Sequence, residues 1–66
     1  MELKDLMKER REVLSLTQLD LAEMAQVGVA TVKDIERGQG NPSLSTIKKI
    51  LDVLGIEITY QIRKTV

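Results

Sequence analysis

The sequence contains neither cysteine nor histidine. Without cysteine there is no disulfide and no thiolate metal site to staple a chain of 66 residues, a size near the lower limit for folding unaided. Without histidine the chain lacks the commonest general base and metal ligand. Nucleophilic catalysis would have to run on Ser or Thr with some other base, and no such grouping stands out. The expectation is a protein that is not an enzyme, with no catalytic residues, no metal and no cofactor. The opening residues Met1-Glu2-Leu3-Lys4-Asp5 are charged and have no apolar core of a signal peptide. No apolar run approaches the roughly 20 residues of a membrane span. A soluble cytoplasmic protein without membrane association is expected. Charge of one sign is not in excess either: ten basic residues face ten acidic ones. A nucleic-acid-binding domain is usually basic, so any such binding must come from basic side chains gathered on one face.

What the chain does have is a succession of short periodic segments, with no repeat, low-complexity tract or linker. Residues 2–14 place Leu3, Leu6, Met7 and Leu14 at helical spacing, with Glu9, Arg10, Arg11 and Glu12 at polar positions. Ser15-Leu16 breaks that pattern, and Thr17 is a good N-cap with Asp20 three residues on, a weaker form of the capping box. A second helix is expected over 18–25 with Leu21, Ala22 and Ala25 inward. Gln26-Val27-Gly28 is the turn, in which Gly28 serves either as an N-cap or as a source of unusual backbone angles. A third helix over 29–37 turns Val32 and Ile35 inward. Gly38-Gln39-Gly40-Asn41-Pro42 stops it. Ser43 caps a fourth helix whose Leu44, Ile47, Ile50, Leu51 and Leu54 keep i, i+3, i+4, i+7 relations, and Gly55 stands where a C-terminal glycine belongs.

After Gly55 the period changes from helical to two. Ile56, Ile58, Tyr60 and Ile62 alternate with Glu57, Thr59, Gln61 and Arg63, which reads as a β-strand. A lone strand leaves its backbone groups unpaired, and no other segment here can pair with it. The economical solution is a two-fold antiparallel pair with a second copy, centred near Thr59. Residues 1–55 are thus expected to form the helical domain and 56–66 a dimerisation strand.

Two short helices joined by a tight turn make a unit whose second helix fits the DNA major groove. Thr17-Gln18-x-x-Leu21-Ala22, Val27, Thr31-Val32 and Ile35-Glu36-Arg37-Gly38 resemble the Cro/repressor-type (XRE) helix-turn-helix family, with the motif over about 17–37. Asn41-Pro42-Ser43-Leu44 and Leu51-Asp52-x-Leu54-Gly55 extend the resemblance through the fourth helix. The resemblance implies a mainly α, lambda-repressor-like four-helix DNA-binding domain, here with one C-terminal strand pairing across a homodimer. It implies a prokaryotic transcriptional regulator on double-stranded DNA at a palindromic operator. By the same resemblance Gln18 touches a phosphate or braces the third helix, while Gly28, Val29, Ala30, Lys33 and Asp34 face base edges. Thr31 and Arg37 contact the DNA backbone, and Arg11 pairs with Glu36 as an internal salt bridge.

Three features depart from the family pattern. The turn glycine is replaced by Gln26, which must adopt a left-handed conformation or let the turn shift. Val29 and Ala30 cannot make bidentate hydrogen bonds, although both could pack on thymine methyl groups, and Asp34 repels phosphate unless it accepts from a cytosine amino group. Leu19 and Met24 stand at usually polar positions of the second helix. The Leu-Gly-Ile-Glu-Ile ending resembles HipB-type antitoxins, which implies a dimer lid and, as a further partner, a kinase-like (HipA-like) toxin. The expected function is a homodimeric repressor of its own operon. The alternative is a protein-interaction module that keeps the fold without binding DNA.

Overall fold

The computed structural model describes residues 1–63. It contains four helices in the order α1 (Leu3–Val13), α2 (Gln18–Ala25), α3 (Val29–Glu36) and α4 (Leu44–Leu54). Their starts follow from local chemistry. Thr17 Oγ1 accepts from the Asp20 amide at 2.9 Å and Asp20 returns the bond to the Thr17 amide at 2.9 Å, closing a full capping box with Asp in place of the usual Glu. Hydrogen bonding to Thr17, its backbone amide first, holds the Asp20 carboxyl below its ordinary value, because a donor to the carboxylate favours the ionised form. Ser43 Oγ accepts from the Thr46 amide and starts α4.

All four helices end in the same way. The residue after each last turn lies in the left-handed region: Ser15, Gln26, Gly38 and Gly55, at φ 57°, 58°, 74° and 71°. The amide beyond it reaches back five residues, Leu16 to Arg11, Val27 to Ala22, Gln39 to Asp34 and Ile56 to Leu51, while the left-handed residue bonds three back. This paired closure satisfies carbonyls that a helix end leaves orphaned. Leu16, Val27 and Ile56, the residues carrying the long bond at three of these ends, also pack against the core. The turn therefore does not shift to accommodate Gln26; its backbone takes the strained conformation instead.

The helices enclose one apolar centre of Met7, Leu21, Ala22, Ala25, Val32, Ile35, Ile50, Leu51 and Leu54. α2 packs on α3 and α4, and α1 closes over α3 and α4. Ala22 and Ala25 keep α2 thin enough for close approach. Fully burying a Leu, Ile, Val or Met is worth about 1.5–3 kcal/mol before entropy, and this cluster is the main stabilising element of so short a chain.

The strand expected from Ile56 onward is not formed. Among the described residues there is no strand, and 56–63 leave α4 without regular secondary structure. The physical reason is the one that made the segment notable: a strand needs a second strand to bond to, and a single copy has none. Ile56 and Ile58 pack against the helical core, whereas Tyr60 is 72% and Ile62 100% exposed. The end of the expected 56–66 segment, residues 64–66, lies outside the described residues. Among the described residues no helix is long and apolar enough to cross a membrane, and no cluster of acidic side chains is arranged to hold a metal ion.

Candidate nucleic-acid interface

α2 and α3 meet across the 26–28 turn, and the rest of the body braces α3 from behind. Arg11, reaching from α1, clamps Glu36: Nε donates to Oε2 at 2.8 Å and Nη2 to Oε1 at 3.0 Å. A third nitrogen, Nη1, donates to the Leu16 carbonyl at 2.9 Å. The two side chains are only 13% and 4% exposed, so this is a shielded, bidentate pair. The Glu36 hydrogen bonds raise the Arg11 pKa against the opposing effect of burial, and Arg11 keeps its charge. Gln18 Nε2 adds a donor to Glu36 Oε1 at 3.3 Å. One carboxylate thus ties the end of α3 to α1 and to the start of α2, and Gln18 makes its bond to the third helix.

The outward side of α3 is less uniform than helical spacing alone implies. Gly28 caps the helix with ordinary extended angles, φ −70° and ψ 143°, so no unusual backbone is required there. A Cβ on Gly28 would meet only Thr31 Oγ1, at 3.9 Å. Val29 is half-buried and packs against the core. Thr31 is also half-buried, whereas Ala30, Lys33 and Arg37 are exposed. Positions 30, 33, 34 and 37 fall along one face of the helix.

Asp34 does not stand free on that face. It is ion-paired with Arg37 one turn on, and its Cβ would lie 3.4 Å from a Cβ built on Gly40. Gly40 turns the following loop at φ +79°, so Asp34 lies against the backbone of that loop. Lys33 is the one exposed cation of α3 without an ion-pair partner among the described residues. Arg10, on α1, serves the other end of the body: its Nε donates to the Leu54 carbonyl at 3.1 Å, at the end of α4. That role follows from a cation's attraction to a helix C-terminus. Only the packing of α1 on α4 reveals it, since the two residues are far apart in sequence. Leu19 and Met24 are both exposed on α2.

A family model described as helix-turn-helix matches residues 7–61. An immunity repressor protein of Bacillus phage phi105 is 42% identical over 57 residues, which are 86% of this chain and 37% of the relative. The HTH-type transcriptional regulator DdrOP3 of Deinococcus deserti is 36% identical over 58 residues, 88% of this chain and 45% of the relative. The cryptic phage CTXphi transcriptional repressor RstR of Vibrio cholerae is 29% identical over 58 residues, 88% and 52% of the two chains. This chain therefore spans roughly a third to a half of the length of these relatives. With the match running from α1 past the end of α4, across both helices of the motif and the braces behind them, the chain belongs to the Cro/repressor-type (XRE) helix-turn-helix family.

Proposed function

We propose that this protein is a DNA-binding transcriptional regulator, a homodimeric repressor that docks α3 in the major groove of a palindromic operator. The carrying observation is the rigid mounting of α3 by Arg11, Glu36 and Gln18, with Ala30, Lys33 and Arg37 turned outward. In this reading Gly28, Val29, Ala30, Lys33 and Asp34 line the base edges, and Thr31 and Arg37 meet the backbone. Gln18 keeps one Nε2 hydrogen on Glu36 and has a second to offer a phosphate. Direct readout is thin, so specificity draws on Lys33, on methyl contacts at Ala30 and the exposed edge of Val29, and on DNA shape. Replacing both Lys33 and Arg37 by Ala should weaken duplex binding and flatten its dependence on salt, measured by fluorescence anisotropy across a salt series. Unchanged affinity and slope would remove α3 as the DNA-contacting element.

The dimer reading places 56–62 of two copies antiparallel about Thr59. Ile62 of each copy then faces Ile56 of the other, and Tyr60 faces Ile58. The exposed Tyr60 and Ile62 support it, since pairing would set them beside residues already anchored on the helical body. Autoregulation and partnership with a kinase-like toxin rest on the resemblance of the tail alone. Co-purification with the product of the adjacent gene tests the toxin, and its absence from the complex would dismiss that role.

A second reading, a protein-interaction module that does not bind DNA, draws on exposed Leu19 and Met24 and on the neutralisation of Arg37 by Asp34. The salt series separates the two, because a module of that kind gives no salt-dependent duplex binding.

A further inference from the structure

We propose that Lys4, on α1 and outside the helix-turn-helix, holds a DNA phosphate beside the C-terminal end of α3. This rests on the DNA-binding reading above and adds a contact that the motif itself does not contain.

The charge inventory of the motif leaves room for it. From Gly28 to Pro42 there are two cations, Lys33 and Arg37, and two carboxylates, Asp34 and Glu36. Glu36 is turned inward to Arg11, but Arg37 is tied to Asp34. The loop that follows, Gly38-Gln39-Gly40-Asn41-Pro42, carries no charge of its own. A polyanion lying along this end of α3 would meet Lys33, an Arg37 whose charge is offset by Asp34 beside it, and an uncharged loop.

Lys4 fills that gap from the side. Gly38 sits at φ +74°, a conformation that favours glycine, and a Cβ built there would lie 3.2 Å from Lys4 Cδ and 3.4 Å from Lys4 Nζ. The lysine stem therefore lies on the loop backbone with its ammonium one residue beyond Arg37. Glu2, Lys4, Gly38 and Gln39 line one shallow groove between the start of α1 and the loop. The only ion partner of Lys4 among the described residues is Glu2, at 3.6 Å, with side chains 40% and 75% exposed. A pair so open to water is worth little, and a lysine ammonium on its flexible stem reorients at small cost. Exchanging Glu2 for a phosphate oxygen needs only that reorientation. The ligand is a backbone phosphate, because Lys4 lies off the outward face of α3 where base edges would be read.

The test uses Lys4→Met, which keeps the stem on Gly38 and removes the charge. Binding of a labelled mixed-sequence DNA duplex is followed by anisotropy across a potassium chloride series, with thermal melts of both proteins. The expected result is an unchanged melt and a slope of log K against log salt smaller by about 0.9 per protomer. A wild-type chain with no salt-dependent binding would overturn the DNA-binding reading and this contact with it. Wild-type binding with an unaltered slope in Lys4→Met would overturn the Lys4 contact alone. Should Lys4→Met melt early, Glu2→Gln replaces it as the decisive variant. Freeing the ammonium should then tighten low-salt binding by about twofold, and no gain would overturn the contact.

Discussion

Arg11 uses all three guanidinium nitrogens, two on Glu36 and one on the carbonyl of Leu16, the residue whose amide closes α1. Replacing it by Ala leaves the Glu36 carboxylate, 4% exposed, with Gln18 as its only remaining side-chain donor among the described residues. A shielded charge left without its partner costs about 3–5 kcal/mol, against a total stability for a small domain of about 5 kcal/mol or less. Arg11→Ala should therefore be largely destabilised in a urea titration, and a loss below about 1 kcal/mol would mean the pair behaves as a surface bridge. The pairing of positions 11 and 36 was legible through family resemblance, because both residues recur at motif positions. Arg10 was not legible, although it is the next residue. Its partner is a backbone carbonyl at the end of α4, and backbone groups leave no trace in residue identity. Asp34 shows the same limit differently: its pairing with Arg37 one turn on was not read from the sequence, where Asp34 was weighed against DNA alone.

At the scale of elements, helix starts and stops were the most readable part of the chain. Thr17, Ser43 and Gly55 carry their roles in their side chains, or in the lack of one, and α2 and α4 begin and end where those residues place them. The close of α1 was less visible, because Ser15 performs a glycine's task at φ 57° and nothing about serine advertises it. Gln26 is the sharper case, since the family pattern puts glycine there. A left-handed non-glycine residue costs roughly 1 kcal/mol, while glycine adds some freedom to the unfolded chain. At a position already left-handed and exposed, relief of strain outweighs that entropy. Gln26→Gly should raise stability by about 0.5–1 kcal/mol, seen as a higher melting temperature with DNA affinity unchanged. A lower melting temperature would mean that the glutamine side chain contributes a contact larger than the strain it imposes.

On the scale of the whole molecule, the alternating tail tests whether one copy is the functional unit. Its period-two pattern was plain in the sequence, yet the single chain forms no strand there, because pairing is a property of two segments and not of one. Ile62 makes the distinction measurable. At 100% exposure it packs on none of the described residues in a lone copy, so Ile62→Lys should leave a monomer's stability within about 0.5 kcal/mol. In the proposed dimer the same side chain faces Ile56 of the second copy, and a lysine there would have to bury its charge or break the pair. The wild-type protein should then show a dimeric mass by light scattering and a melting temperature that rises with concentration, and Ile62→Lys should lose both. The molecule carries its own reporter, since Tyr60 is the only tyrosine and there is no tryptophan. Its fluorescence on dilution follows the tail alone, and a change in the wild type that Ile62→Lys abolishes would locate association at this segment. A wild-type protein with a monomeric mass, a concentration-independent melt and unchanging Tyr60 emission would leave the tail without a partner copy. In that case two recognition helices could be held at a fixed spacing only by the DNA itself.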